Sequence, residues 1–158
     1  GLILGYTLTT KPEELYRALV EATGFGTRLI MEAFESAGVR IEGIYACGGI
    51  AEKDPFLMQI YADITNREIR LPASGQTAAL GAAMYASVAA GAERGGYDHI
   101  TEAATAMSKL KEHRYQPDPK QVKGYSVLYR KFKELSDYFG RTNPVMKELK
   151  EMRAGHTP

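Results

Sequence analysis

Two short runs, Ile44–Cys47 and Glu68–Leu71, are the stretches of this chain that read as buried strands, and their scarcity constrains the fold most. The first lies between Gly43 and Gly48; the second is closed by Pro72. The order helix, strand, Gly-Gly, helix, strand, helix is an α/β pattern. A sheet of two strands does not stand alone. The missing strands are therefore expected upstream, in a longer protein of which this chain is a piece. The absence of an initiating Met and the abrupt opening GLILGYTLTT point the same way.

Helical spacing and cap signals fill the intervals. Thr10-Lys11-Pro12-Glu13 has the form of a capping box, with Thr10 as N-cap. Leu15, Leu19, Ala22, Leu29, Ile30 and Ala33 then recur at helical spacing, which predicts a helix from about Lys11 to Ala37, stopped by Gly38. Gly24 and Gly26 inside it are expected to let a neighbour pack close. Asp54-Pro55 reads as N-cap and first helical residue of a helix ending near Thr65. Ser74 is expected to cap a helix from Gly75 to Ala90, whose small face of Ala78, Gly81, Ala82 and Tyr85 suggests tight packing. Further helices are predicted over Thr101–Leu110, from Asp118-Pro119 to Gly140, and after Asn143-Pro144. A proline-bearing connector, Tyr115–Asp118, lies between the first two. The long helix carries Tyr125, Leu128, Tyr129, Phe132, Leu135 and Phe139 at core spacing.

The chain of 158 residues has 20 Lys+Arg against 19 Asp+Glu, so bulk charge supports neither a nucleic-acid nor a membrane-surface partner. No apolar run is long enough to span a bilayer. The single cysteine, Cys47, excludes an internal disulfide, fits a reducing, cytoplasmic setting, and reads as a buried strand thiol.

The stretch YACGGIAEKDPF holds the one candidate site. Gly48-Gly49 is either a plain strand-to-helix turn or a place where bare backbone approaches a ligand. Loops at the carboxyl ends of strands are where α/β sheets bind ligands, and a helix starting at Asp54 would aim free N–H groups back toward this loop. The spacing matches neither common glycine-rich nucleotide motif. Lys53 could steady a phosphate, lie along a base or simply be solvated, and Asp54 is an N-cap in the simpler reading. His99, His113 and His156 lack metal-ligand spacing and read as surface residues. Arg17 and Glu21 are expected to pair along the first helix. No Ser-His-Asp set, paired-carboxylate site or cysteine cluster emerges.

The phrases RALVEATGFGTRLIMEAF, ACGGIAEKDPFLMQIYADITNREIRLP and GQTAALGAAMYASVAAG, in this order, resemble the carboxyl-terminal domain of the FGGY carbohydrate kinases. The tail YQPDPKQVKGYSVLYRKFKELSDYF resembles the carboxyl-terminal helices of that family. The resemblance implies a truncated, helix-rich second domain of an actin-like (ribonuclease H-like) ATPase fold. Residues 1–92 would carry the adenosine motif, and residues 93–158 would form a helical extension. Gly48 and Gly49 would then approach ATP with bare backbone, with Lys53 or Asp54 flanking adenine or ribose. The cofactors implied are ATP and Mg²⁺. The reaction implied is phosphoryl transfer to a sugar such as L-ribulose in arabinose breakdown, with xylulose, glycerol or another polyol as alternatives. The catalytic base and sugar pocket would lie before Gly1, so no catalytic residue is expected in this chain and no activity from it alone. The implied partners are ATP and a sugar, neither nucleic acid nor membrane, and a homo-oligomer is compatible with them. A different reading is a non-catalytic interaction module presenting Tyr125, Leu128, Phe132 and Leu135 to a partner.

Overall fold

The structure, a computed structural model, describes residues 1–155. His156 lies outside the described residues. The chain divides into two compact units, one formed by residues 41–117 and the other by residues 1–40 together with 118–158.

The 41–117 unit is built on a three-stranded sheet in the order β1-β2-β3. β1 (Ile44–Tyr45) pairs in parallel with β2 (Ile69–Pro72), with Ile44 opposite Ile69 and Tyr45 opposite Arg70. A parallel pair needs a crossover. It is supplied here by α2 (Gly49–Lys53) and α3 (Pro55–Thr65). Asp54 caps α3 as expected, accepting from the Leu57 backbone N–H at 3.0 Å, and Pro55 opens the helix. Asn66, in the left-handed conformation, ends it. The core consists of Ala51 on α2, Met58 and Ala62 on α3, and Ile69 and Leu71 on β2. Gln59 ties α3 to the chain after β3: its amide donates to Asp63 Oδ1 at 2.9 Å and to the Gln116 carbonyl at 2.8 Å.

The third strand, β3 (Leu110–Tyr115), runs antiparallel to β2. The sequence Leu-Lys-Glu-His-Arg-Tyr shows no apolar run, so the reading above placed a helix end and a connector there. Charged, exposed side chains are what an edge strand carries, and here all but Tyr115 are exposed. The sheet therefore gains a strand from within the chain, downstream of the other two. α4 (Thr77–Ala90) and α5 (Ile100–Met107) pack on each other. α4 begins at Thr77 with Gln76 as N-cap; Ser74 instead accepts from the Gln76 N–H at 3.2 Å. The predicted small contact face is also corrected. Ala78, Ala82 and Tyr85 are exposed within this unit, and no α4 residue is buried. Helix α4 is apolar nearly all round, so its composition does not single out the side that meets α5. His99 and His113 are exposed, as expected.

In the other unit, α1 (Pro12–Ser36) packs on α6 (Pro119–Asp137), which runs through a π-helical turn (Tyr138–Thr142) toward α7 (Val145–Arg153). The N-cap of α1 is Lys11, not Thr10, because Pro12 holds the residue before it out of helical conformation. The Glu14 carboxylate accepts from the Lys11 N–H at 2.8 Å, while Thr10 Oγ1 accepts from Thr7 N at 2.9 Å. Asp118 caps α6 through the Lys120 N–H.

The α1–α6 contact is aromatic. The Phe25 ring stands 6.1 Å from Tyr125, 6.0 Å from Tyr129 and 5.4 Å from Phe132. Such pairs add about 0.5–1.5 kcal/mol each beyond area burial. The predicted leucine stripe of α1 is not the buried face: Leu19 and Ile30 are exposed, and Val20, Gly24 and Phe25 are buried. On α6, Tyr125 and Tyr129 are buried but Leu128 is exposed. Two polar clamps flank the rings. Arg17 pairs with Glu21 at 2.8 Å, and the Tyr125 hydroxyl donates to Glu21 at 2.9 Å while accepting from Arg17 at 3.0 Å. Further along α1, the Arg28 guanidinium lies 4.3 Å over the Tyr129 ring, and Lys133 donates to Glu32 at 2.9 Å. Burial, then the Glu32 carboxylate, pushes the Tyr129 phenol above its ordinary range. Burial alone would raise the Glu32 carboxyl, but Lys133, Tyr129 and Arg28 outweigh it and hold it low.

A carboxyl lowered in the folded state stabilises above its unfolded pKa and loses that contribution as pH falls through the folded value. Glu32→Gln should therefore cost up to about 1 kcal/mol at neutral pH, after allowance for solvent screening, and nothing in acid, read by urea unfolding across pH. The glycines make an opposed pair. A Cβ on Gly26 meets nothing within 4 Å, so that glycine gives no close contact here. A Cβ on Gly96 would lie 1.9 Å from the Ser87 carbonyl oxygen. Gly26→Ala should raise stability by roughly 0.5–1 kcal/mol, and Gly96→Ala should lower it by about 1–3 kcal/mol. Paired thermal melts check both.

Candidate functional site

Parallel pairing of β1 and β2 sets the loops that follow them side by side, at the carboxyl ends of both strands. After β1, the Ala46 N–H still donates to the Arg70 carbonyl at 3.0 Å, and the chain then leaves the sheet. Cys47 falls in this departing stretch and is exposed, which corrects the reading of a buried strand thiol. β1 is two residues long and ends before it.

Gly48 has φ +99° and ψ 168°, a backbone state that a side chain disfavours, and it caps α2. Its carbonyl accepts from the Glu52 N–H at 3.2 Å. Gly49 is the first residue of α2. Its φ is not positive, and a Cβ there would meet nothing within 4 Å. Among the described residues, then, Gly48 is required by conformation, while neither conformation nor crowding requires Gly49.

Helix α2, like β3, has no counterpart in the sequence reading. It stands between the glycines and the helix capped by Asp54, so the free N–H groups of α3 are not the first that the turn presents. Asp54 Oδ1 already satisfies one of them. Ala51 is buried in the core and pins α2 down, leaving Ile50 69% exposed beside the glycines. Lys53, the last residue of α2, is exposed. The structure thus places Gly48, Gly49, Lys53 and Asp54 on one continuous turn of chain.

The loop after β2 faces this turn. It is fixed on the β3 side by the Ala73 N–H, which donates to the Lys109 carbonyl at 2.7 Å. On the β1 side it meets Glu52. A Cβ on Gly75 would sit 3.2 and 3.3 Å from the two Glu52 carboxylate oxygens. This contact joins residues that sequence spacing does not connect. No group of three or more His, Cys, Asp or Glu among the described residues could hold a metal ion. No helix among them is long and apolar enough to cross a membrane.

Residues 1–90 match the C-terminal domain of the FGGY family of carbohydrate kinases. The chain is 58% identical over 154 residues to a ribulokinase of Geobacillus thermodenitrificans, covering 97% of this chain and 27% of that protein. It is 57% identical over 155 residues to a ribulokinase of Halalkalibacterium halodurans, covering 98% of this chain and 28% of that protein. The chain thus spans little more than a quarter of the length of these relatives. Its structure superposes on that of a xylulose kinase from Rhodospirillum rubrum with a TM-score of 0.71 at 27% identity, over 86% of this chain and 26% of that one. The helix-rich units and small sheet are a portion of the actin-like ATPase fold of such kinases, and the chain belongs to the FGGY family of carbohydrate kinases as part of its C-terminal domain.

Proposed function

We propose that this chain is the nucleotide-contacting part of a ribulokinase, which transfers the γ-phosphoryl group of MgATP to L-ribulose to give ribulose 5-phosphate in arabinose breakdown. One observation carries the assignment of the site: Gly49 is bare where the fold neither needs a special φ nor lacks room for a side chain. A ligand lying against the backbone supplies the missing reason. In this reading Gly48 and Gly49 touch the nucleotide, and Lys53 or Asp54 flanks its adenine or ribose. Asp54 Oδ1 is engaged as the cap of α3, while Lys53 ends α2 in solvent, so Lys53 has the freer polar group of the two.

The choice of ribulose rests on ribulokinase relatives above 55% identity, against 27% for the xylulose kinase likeness. Residues 1–92 carry the nucleotide turn in this reading. Residues 93–158 extend the domain with β3 and the carboxyl-terminal helices. Magnesium arrives on the phosphate oxygens of ATP, and no described residue is assigned to it. Phosphoryl transfer needs positioning, metal and a base together. This chain supplies one wall of that cleft, and the sugar pocket and base belong to the rest of the kinase. The interaction-module reading loses its basis because its four residues do not share a free face: Tyr125 and Phe132 turn toward Phe25, while Leu128 is exposed.

Titration of the isotopically labelled chain with MgATP should shift the backbone amides of residues 48–54 ahead of all others. In the complete kinase, Gly49→Ala should leave the melting temperature unchanged or slightly raised, and raise KM for ATP on the order of tenfold. An unchanged KM would remove Gly49 from the site. The purified chain alone should phosphorylate no L-ribulose; clear turnover would refute the one-wall reading.

A further inference from the structure

Glu52 occupies a specific position beside the glycine turn. It lies on α2 between Ala51, which is buried in the core, and Lys53. Its carboxylate crosses to the neighbouring loop and rests over Gly75, with both oxygens nearly equidistant from the place a Cβ would take. The φ of Gly75 is not positive, so the glycine provides space there and not conformational freedom. Among the described residues this carboxylate has neither an ion pair nor a side-chain hydrogen bond. An ionised carboxylate accepts hydrogen bonds and donates none. Here it is a two-oxygen acceptor without a protein donor, held between the two loops that end adjacent parallel strands.

We propose that Glu52 is a nucleotide-binding residue that accepts hydrogen bonds from the ribose hydroxyls. The proposal rests on the nucleotide reading of the Gly48–Gly49 turn and deepens it. A triphosphate placed against an unpaired carboxylate would be repelled, so the nucleoside end of the ligand faces Glu52 and the phosphates point away. A vicinal diol offers two donors to the two oxygens. Gly75 is bare so that the carboxylate can lie between the loops. A methyl group there would displace it by a few tenths of an ångström. Because Glu52 is exposed and its side chain is long, that displacement costs little stability.

The test uses the complete kinase with ATP, 2′-deoxyATP and 3′-deoxyATP as phosphoryl donors. The native enzyme should favour ATP over each deoxy analogue by about tenfold or more in KM, as expected for a hydrogen bond to a charged group. Glu52→Ala should abolish that preference, Glu52→Gln should keep part of it, and Gly75→Ala should weaken it. KM for the sugar and the melting temperature should not move in any of them. A preference that survives Glu52→Ala, or a native enzyme that accepts the deoxy analogues equally, overturns the proposal. Loss of inosine triphosphate discrimination in its place would assign Glu52 to the adenine amine and overturn the ribose assignment. Hydrogen–deuterium exchange of residues 46–54 separates the two levels. ATP protection of that segment with an unaltered ribose preference in Glu52→Ala removes Glu52 alone. No protection in the native enzyme removes the turn, and the proposal with it.

Discussion

The pairing of Ile44 with Ile69 and of Tyr45 with Arg70 is the constraint on which the candidate site depends. It is a short contact, and the residues around it explain why it holds. Ile69 is fully buried, and Ala51, Met58 and Ala62 cover it from the crossover helices. Parallel direction does the rest. Two strands that run the same way end on the same side, so the glycine turn after β1 and the loop after β2 become neighbours. Glu52 can reach Gly75 only because of that direction; an antiparallel pair would send the two loops to opposite ends of the sheet.

The polar groups near the sheet are mostly committed. Glu68 pairs with Arg70 and accepts from the Gln116 amide, and Arg114 stands 3.8 Å away. Gln59 is spent between Asp63 and the Gln116 carbonyl. Those side chains hold the sheet, α3 and the chain after β3 in register. Against them, the region of Gly48 to Lys53 holds bare backbone, an exposed isoleucine and a carboxylate with no protein donor among the described residues.

Much of this was legible in the sequence where local chemistry decides. Asp54-Pro55 and Asp118-Pro119 both start helices as read, since an aspartate acceptor followed by a proline at the first helical position leaves little alternative. The family and the glycine turn were legible through an ordered set of phrases. What stayed hidden depends on packing at a distance. β3 has no apolar signal because it lies at an edge. The buried face of α1 was misread because its leucines outnumber Val20 and Phe25 and outweigh them in a periodicity count; the choice is made by three aromatic rings about a hundred residues downstream. Cys47 looked like core because the strand was read two residues too long. The Glu52–Gly75 contact left no trace in the sequence, as it crosses between loops separated by a whole strand and helix.

The same distant pairing has a consequence in time. Phe25 finds its partners on α6, and the Tyr125 hydroxyl reaches Glu21 across 104 positions of chain. Between them lies the whole 41–117 unit. As the chain emerges from the ribosome at about 5–20 residues per second, α1 is made well before the helix that buries its aromatic face. For several seconds the 41–117 unit can close its own core while α1 waits, and only the arrival of α6 completes the α1–α6 pair. Long-range closure of this kind slows folding. Helix α1 is made before the whole 41–117 unit, yet its aromatic face is covered only after that unit is complete.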